Sequence, residues 1–190
     1  MTNIAVFVGS LRKDSLNKKL ARNLEEVAPE GTRFNYVDLN LPLFNGDLEK
    51  EYPAEVQKAK DVLEKADGVL IVTPEYNRSV PGVLKNAIDW FSRPYGKNAF
   101  DGKPLALTGA TDGPIGTAVA QSDLRHIAGY LNMRLLGQPE LYFNFASKKL
   151  DENGNVVDEY REQLENFMKS YIEFVGKVHT ARRDFAIMDA

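Results

Sequence analysis

Residues 68–73 read Gly-Val-Leu-Ile-Val-Thr, a continuous and largely β-branched run that ends at Pro74. A strand that is apolar on both faces has to be covered on both faces, the condition met by a parallel sheet packed between helices. Proline removes a ladder donor and restricts the residue before it, so the chain turns there. Ile4–Val8 and Leu105–Ala110 are further short apolar runs. Between such runs, apolar residues repeat at helical spacing: Leu16, Leu20, Leu24 and Val27; then Val56, Ala59, Val62 and Leu63; then Val83, Leu84, Ala87 and Ile88; then Leu124, Ile127 and Leu131. Phe34, Tyr36 and Leu39 predict a second strand with Val37 on its opposite face, and a fifth strand falls within 133–143, interrupted by Gly137 and Pro139. Tyr160, Leu164, Phe167, Tyr171, Phe174 and Val178 trace one face of a final helix.

Strands alternating with helices predict an α/β three-layer sandwich, with a five-stranded parallel sheet and helices on both faces. Five such units in 190 residues suit the doubly wound strand order 2-1-3-4-5. No Gly/Ser-rich or Pro-rich linker divides the chain, so residues 1–190 are expected to form a single domain. Residues 148–155 read as an exposed polar turn, and the tail after Lys177, with Arg182-Arg183-Asp184, is expected to be less ordered or to pack on a neighbouring subunit. The net charge of −3 offers no basic excess to neutralise phosphates, so a nucleic-acid partner is not expected. With no cysteine, disulfides, thiolate nucleophiles and zinc–thiolate sites are excluded. Met1–Gly9 reads as a buried strand, without the basic start and cleavage site of a signal peptide. No apolar run approaches the roughly 18 residues of a membrane span; the expected location is cytoplasmic.

In the doubly wound architecture ligands bind at the carboxyl ends of the strands, where the strand order reverses. The loop after the first strand, Gly9-Ser10-Leu11-Arg12-Lys13-Asp14-Ser15-Leu16-Asn17, leaves a buried strand and opens a helix. Amides at such a helix start attract phosphate, Ser10, Ser15 and Asn17 add neutral donors, and Arg12 adds a charge that can pair with phosphate oxygens. Ser15 reads equally well as a plain helix N-cap. The chain lacks G-x-G-x-x-G and G-x-x-x-x-G-K-[ST], so neither a pyrophosphate-approaching turn nor a P-loop is present, and Asp38 reads as a loop cap or surface charge.

Two segments carry a family resemblance: G-S-L-R-K-x-S-x-N at 9–17 and T-P-E-Y-N-x-S-x-P-G-x-L-K-N-A-I-D-W at 73–90. With them the chain resembles the NADPH-dependent FMN reductases of the flavodoxin-like superfamily, and within these the bacterial quinone and chromate reductases. The resemblance implies a flavodoxin-like fold, non-covalent FMN, NAD(P)H as electron donor, and a homodimer or homotetramer. Carried over position by position, it implies that Ser10, Arg12, Ser15, Leu16 and Asn17 hold the phosphate and ribityl end of the flavin. Pro74, Glu75, Tyr76 and Asn77 would flank the ring, Ser79 would cap the next helix, and the loop after strand four, with Thr111, Asp112 and Gly113, would close the other edge.

Hydride transfer through FMN needs no protein acid–base pair, so no catalytic side chain is assigned. The implied activity is ping-pong reduction of quinones, flavins, azo compounds or metal oxyanions; a flavodoxin-type electron carrier and a flavin-binding sensor module are the alternatives. Asp151-x-Asn153-x-Asn155 with Glu162 imitates a calcium loop but has Val156 where glycine is required, and His126 and His179 are far apart in sequence, so no metal site is expected. Lys85 and Asp89 are spaced as a surface ion pair. Trp90 and Phe91 read as core or subunit interface, and Tyr95 and Phe100 as exposed aromatics.

Overall fold

The computed structural model describes the backbone of residues 1–188 and the side chains of residues 1–181. Strand β1 (Thr2–Val8) lies between β2 (Thr32–Val37) and β3 (Gly68–Val72), and β4 (Pro104–Thr111) follows on the far side of β3. All pairings are parallel. The last strand position is filled by two pieces, β5 (Arg134–Leu135) and β6 (Leu141–Asn144), both parallel to β4. Pro104 faces Arg134 and Thr108 faces Leu141, so the offset grows from 30 to 33 and three extra residues loop out between the pieces. That excursion carries the Gly137 and Pro139 that interrupt the run. The topology is therefore 2-1-3-4-5 with a split fifth strand, a flavodoxin-like α/β fold.

The period of two along each strand divides the core. On β1, Ala5 and Phe7 point into one layer while Ile4 and Val6 point into the other; on β3, Val69 and Ile71 part from Leu70 and Val72 in the same way. The first layer is closed by α2 (Ala54–Glu64), α3 (Gly82–Phe91) and α4 (Ala118–Tyr130), through Val56, Leu63, Leu84, Trp90 and Leu124. The second is closed by α1 (Leu16–Glu26) and α5 (Asp158–Met188), through Leu20, Leu24, Leu164, Phe167 and Tyr171. Each such side chain contributes about 1.5–3 kcal/mol by leaving water.

Two expectations about side chains change. Phe100 is 1% exposed: the turn after α3 folds it onto Phe7 and Phe91, with ring centroids 6.0 and 6.4 Å away, because the end of that layer would otherwise stay open. Leu39 joins Val37 in the first layer instead of Phe34 in the second, because a period of two places positions 37 and 39 on one face and position 34 on the other. Trp90 and Phe91, read as core or subunit interface, lie in the core. The helical backbone of α5 runs well past Lys177, and the side chains of Arg182, Arg183 and Asp184 lie outside the described residues.

Gly109 marks where β4 passes closest to its neighbours. A Cβ there would collide with the Thr73 carbonyl oxygen and Thr117 Oγ1, both set by rigid surroundings. Gly109→Ala is expected to lower stability by about 3 kcal/mol, the upper part of the overpacking range, as measured by urea unfolding. An unchanged midpoint would mean that the contact relaxes freely.

Candidate functional site

The loops leaving β1, β3 and β4 converge at the carboxyl edge of the sheet. The first (9–15) ends at Ser15, whose Oγ accepts the amides of Asn17 (3.2 Å) and Lys18 (3.4 Å) and caps α1. Those two amides are engaged, so donors for an anion come from the loop ahead of the helix. Asn17 is buried, and its side chain makes two bonds to one residue: Oδ1 accepts the Ala110 amide at 2.9 Å, and Nδ2 donates to the Ala110 carbonyl at 3.0 Å. Leu16 is half-buried against the second core layer. Ser10, Ser15 and Asn17 are all buried and, with Leu16, build the loop's base, while Arg12 stands on its exposed side. Ser10 Oγ accepts the Arg12 amide at 3.3 Å.

The charge on this loop is one-sided. Asp14 pairs with Lys19 at 2.6 Å, and that contact, helped by Arg12, holds its carboxyl below the usual range. Arg12 and Lys13 are exposed and make no ion pair among the described residues. A cation beside hydroxyl and amide donors is the chemistry that receives a phosphate.

The third loop starts at Pro74, against which a side chain at Gly9 would press at 3.2 Å, so the two loops cross in near contact. Tyr76–Ser79 is a tight turn closed by two backbone bonds of 3.2 and 3.0 Å, with positive φ at Asn77 (51°) and Arg78 (62°). It sets Tyr76 Oη 3.5 Å from Ser10 Oγ, joining the two walls. Glu75 points away from this junction. Its Oε2 accepts the amides of Val119 (3.0 Å) and Ala120 (3.2 Å), and its Oε1 pairs with Arg78 at 3.2 Å. The reason lies in α4: its N-cap, Thr117, sits at φ 66° and makes no side-chain cap, so the Glu75 carboxylate takes that place at the positive end of the helix. Ser79 does not cap α3. That helix starts three residues later, behind Pro81, and Ser79 Oγ instead donates to Asp123 at 2.7 Å.

The fourth loop is tied down by Asp112, which accepts the Ser147 amide at 2.8 Å; that bond holds its carboxyl below the usual range. Thr111 Oγ1 accepts the Gly113 amide at 3.2 Å. Between the third and fourth loops lies a groove of about 290 Å³, lined by Glu75, Asn77, Arg78, Thr111, Gly113 and Ile115 among others. Of the residues singled out in the sequence, Ser10 meets Tyr76, and Glu75, Asn77, Thr111 and Gly113 share the groove. Ile115 belongs to the loop expected to close the other edge; Arg78 was given no role, and although it stands inside the 73–90 segment, only the fold shows that it neutralises Glu75. Exposed apolar side chains stand on the loops that follow β1, β3, β4 and β6: Leu11, Tyr76, Ile115 and Phe145.

A phosphate carried on a flat ring fits this arrangement, because its cationic end lies at the first loop and the groove's own carboxylates are already engaged. Among the described residues, no group of three or more His, Asp or Glu is placed to hold a metal ion, and no helix is long and apolar enough to cross a membrane.

Residues 2–148 match the family model of NADPH-dependent FMN reductase. The chain is 49% identical over 174 residues to a 2-hydroxy-1,4-benzoquinone reductase of Burkholderia sp., covering 90% of this chain and 95% of that one. It is 43% identical to a quinone reductase of Pseudomonas putida, covering 91% and 94%. Among solved structures it superposes on the flavoenzyme NAD(P)H:(acceptor) oxidoreductase FerB of Paracoccus denitrificans with a TM-score of 0.87 at 40% identity, covering 93% and 98%.

Glu75→Ala is expected to cost about 1–2 kcal/mol, the loss of a helix cap, while Glu75→Gln, which keeps one acceptor, costs less. Urea unfolding of the two variants measures the difference; equal stability of both with the parent would remove Glu75 from the start of α4.

Proposed function

We propose, from the premise that the chain belongs to the NADPH-dependent FMN reductase family, that it is an FMN-dependent NAD(P)H oxidoreductase that reduces quinones. One observation carries the reading: the 9–17 and 73–90 segments fold into two walls of a single crevice and meet at Ser10 and Tyr76. Bound FMN supplies hydride acceptance from NAD(P)H and electron delivery to the acceptor. The chain's own part is binding and orientation. Arg12, with Ser10 and the loop amides, holds the phosphate; Asn17 and Ser15 keep that loop in shape. Pro74, Tyr76 and the backbone of Glu75 and Asn77 form one side of the ring's seat, and Thr111, Asp112 and Gly113 form the other. The side chains of Glu75 and Asp112 act by fixing α4 and the fourth loop.

Donor and acceptor use the same open face in turn, which gives ping-pong kinetics. The exposed apolar side chains of Leu11, Tyr76, Ile115 and Phe145 favour a neutral, flat acceptor such as a quinone; free flavins, azo compounds and metal oxyanions such as chromate are the further acceptors to assay. A homodimer or homotetramer is the proposed assembly. It is supported by a groove of about 490 Å³ between the end of α3 and α4, flanked by Tyr95 (86% exposed) and Tyr130 (82% exposed). The whole chain serves as one FMN-binding domain, and the cytoplasm, where NAD(P)H is available, is its proposed compartment.

The test is an anaerobic absorbance scan of the FMN-loaded protein before and after NADPH, then NADH. Rapid loss of the oxidised flavin band is expected. A flavin that stays yellow with both donors would favour an electron carrier or sensor.

A further inference from the structure

Phe145 stands in a conformation that folding alone does not favour. It leaves β6 at φ 50° and ψ 42°, the left-handed region in which a bulky side chain is an outlier. Three ties hold it there. Asn144, the residue before it, is paired with Thr111 in the ladder; the Ser147 amide donates to Asp112 at 2.8 Å; and the Lys148 amide donates to the Phe145 carbonyl at 2.9 Å. The first two join this segment to the fourth loop, and Asn144 Nδ2 lies a further 3.5 Å from the Pro114 carbonyl. Phe145 therefore emerges beside Thr111–Gly113, at the carboxyl edge of the sheet.

The strained turn takes the ring out of the core. A continued strand would send position 145 to the same layer as Phe143, two residues earlier and 1% exposed. The ring of Phe145 is instead 41% exposed. Backbone strain that the surroundings enforce gathers at ligand sites, and an aromatic face left to solvent beside a ring-binding crevice is a surface for stacking. The two lysines that follow differ in the same sense. Lys149 turns inward: its Nζ donates to Asn144 Oδ1 at 3.1 Å and lies over the rings of Phe143 (5.0 Å) and Tyr160 (4.7 Å). Lys148 stays outside, with its Nζ 5.5 Å from the Phe145 ring centre, and makes no ion pair among the described residues. Asp112, the acid on the neighbouring loop, is engaged by Ser147, and Lys148 contributes least to holding its carboxyl below the usual range.

We propose that Phe145 and Lys148 form an acceptor-binding edge of the flavin crevice, Phe145 stacking on a quinone ring and Lys148 pairing with an anionic substituent that the ring carries. The inference rests on the reductase reading and extends its acceptors from neutral quinones to quinones bearing a sulfonate or carboxylate. A neutral quinone uses the ring contact alone; a charged one uses both.

The experiment reduces the flavin-loaded protein with dithionite, without NAD(P)H, and follows its anaerobic reoxidation by stopped flow with 1,4-naphthoquinone and with 1,4-naphthoquinone-2-sulfonate. Phe145→Leu is expected to raise the concentration for half-maximal rate about two- to tenfold for both quinones. Lys148→Gln is expected to raise it about two- to fivefold for the sulfonate alone, an effect that fades at high salt. Phe145→Gly weakens both quinones like Phe145→Leu, with an unfolding midpoint no lower than that variant's, because glycine relieves the left-handed turn. Parent-like reoxidation of Phe145→Leu, or an equal effect of Lys148→Gln on both quinones, would overturn the inference. Weakened FMN binding in either variant would also overturn it, by assigning the pair to the flavin's seat. A parent that neither quinone reoxidises overturns the inference and the reductase reading together. Reoxidation as expected, with a flavin that neither NADPH nor NADH reduces, leaves the acceptor edge standing and the reductase reading refuted.

Discussion

Asn17 bonds both the amide and the carbonyl of Ala110, and through that two-point tie the helix that follows the first loop is fixed to the strand that feeds the fourth. The side chain is 3% exposed, so losing one partner would leave a buried polar group unsatisfied, at a cost of about 1–3 kcal/mol. The positions of the other site groups follow from it. With α1 anchored, Ser15 can cap the helix and Ser10 can face Tyr76; with Ala110 anchored, Thr111–Gly113 leave the sheet in a defined direction. The site is therefore a property of the sheet edge, with few degrees of freedom left to its loops, as pre-organised binding requires.

Electrostatics completes the arrangement. Three acids stand in or beside the crevice, and each has a structural partner: Asp14 has Lys19, Glu75 has the first turn of α4 and Arg78, and Asp112 has the Ser147 amide. Arg12 has none among the described residues. A crevice with two unpaired cations at its first loop, Arg12 and Lys13, and with these three acids partnered suits a dianionic phosphate at one end and a neutral ring at the other.

Most of the fold was legible in the sequence because parallel strands buried on both faces leave continuous apolar runs, and the helices between them leave a 3.6-residue period. The split fifth strand was visible as an interrupted run, since Gly137 and Pro139 cannot serve a sheet interior. Less legible was what each polar side chain does. Glu75 lies in a segment that reads as ligand-binding, yet its carboxylate is drawn to the start of a helix 44 positions away, and no local pattern announces that α4 lacks its own cap. The resemblance implied that Ser79 caps the next helix, and Pro81 moved the helix start beyond its reach. Phe100 looked exposed because it stands in a polar stretch, and only the closing of the core layer brings it inside. These are long-range effects, and a one-dimensional pattern carries no record of them.

The account turns on the phosphate of FMN lying at the first loop, and the affinity of Arg12→Ala for FMN, measured by titrating flavin into the apoprotein, tests this most directly. Arg12 is exposed and unpaired in the protein, so its removal should leave the fold intact and take away one charged hydrogen bond. The predicted result is a loss of about 1.5–3 kcal/mol in binding, a tenfold weakening or more, with the unfolding midpoint of the apoprotein unchanged. FMN bound as tightly as by the parent would contradict the account and move the phosphate away from this loop.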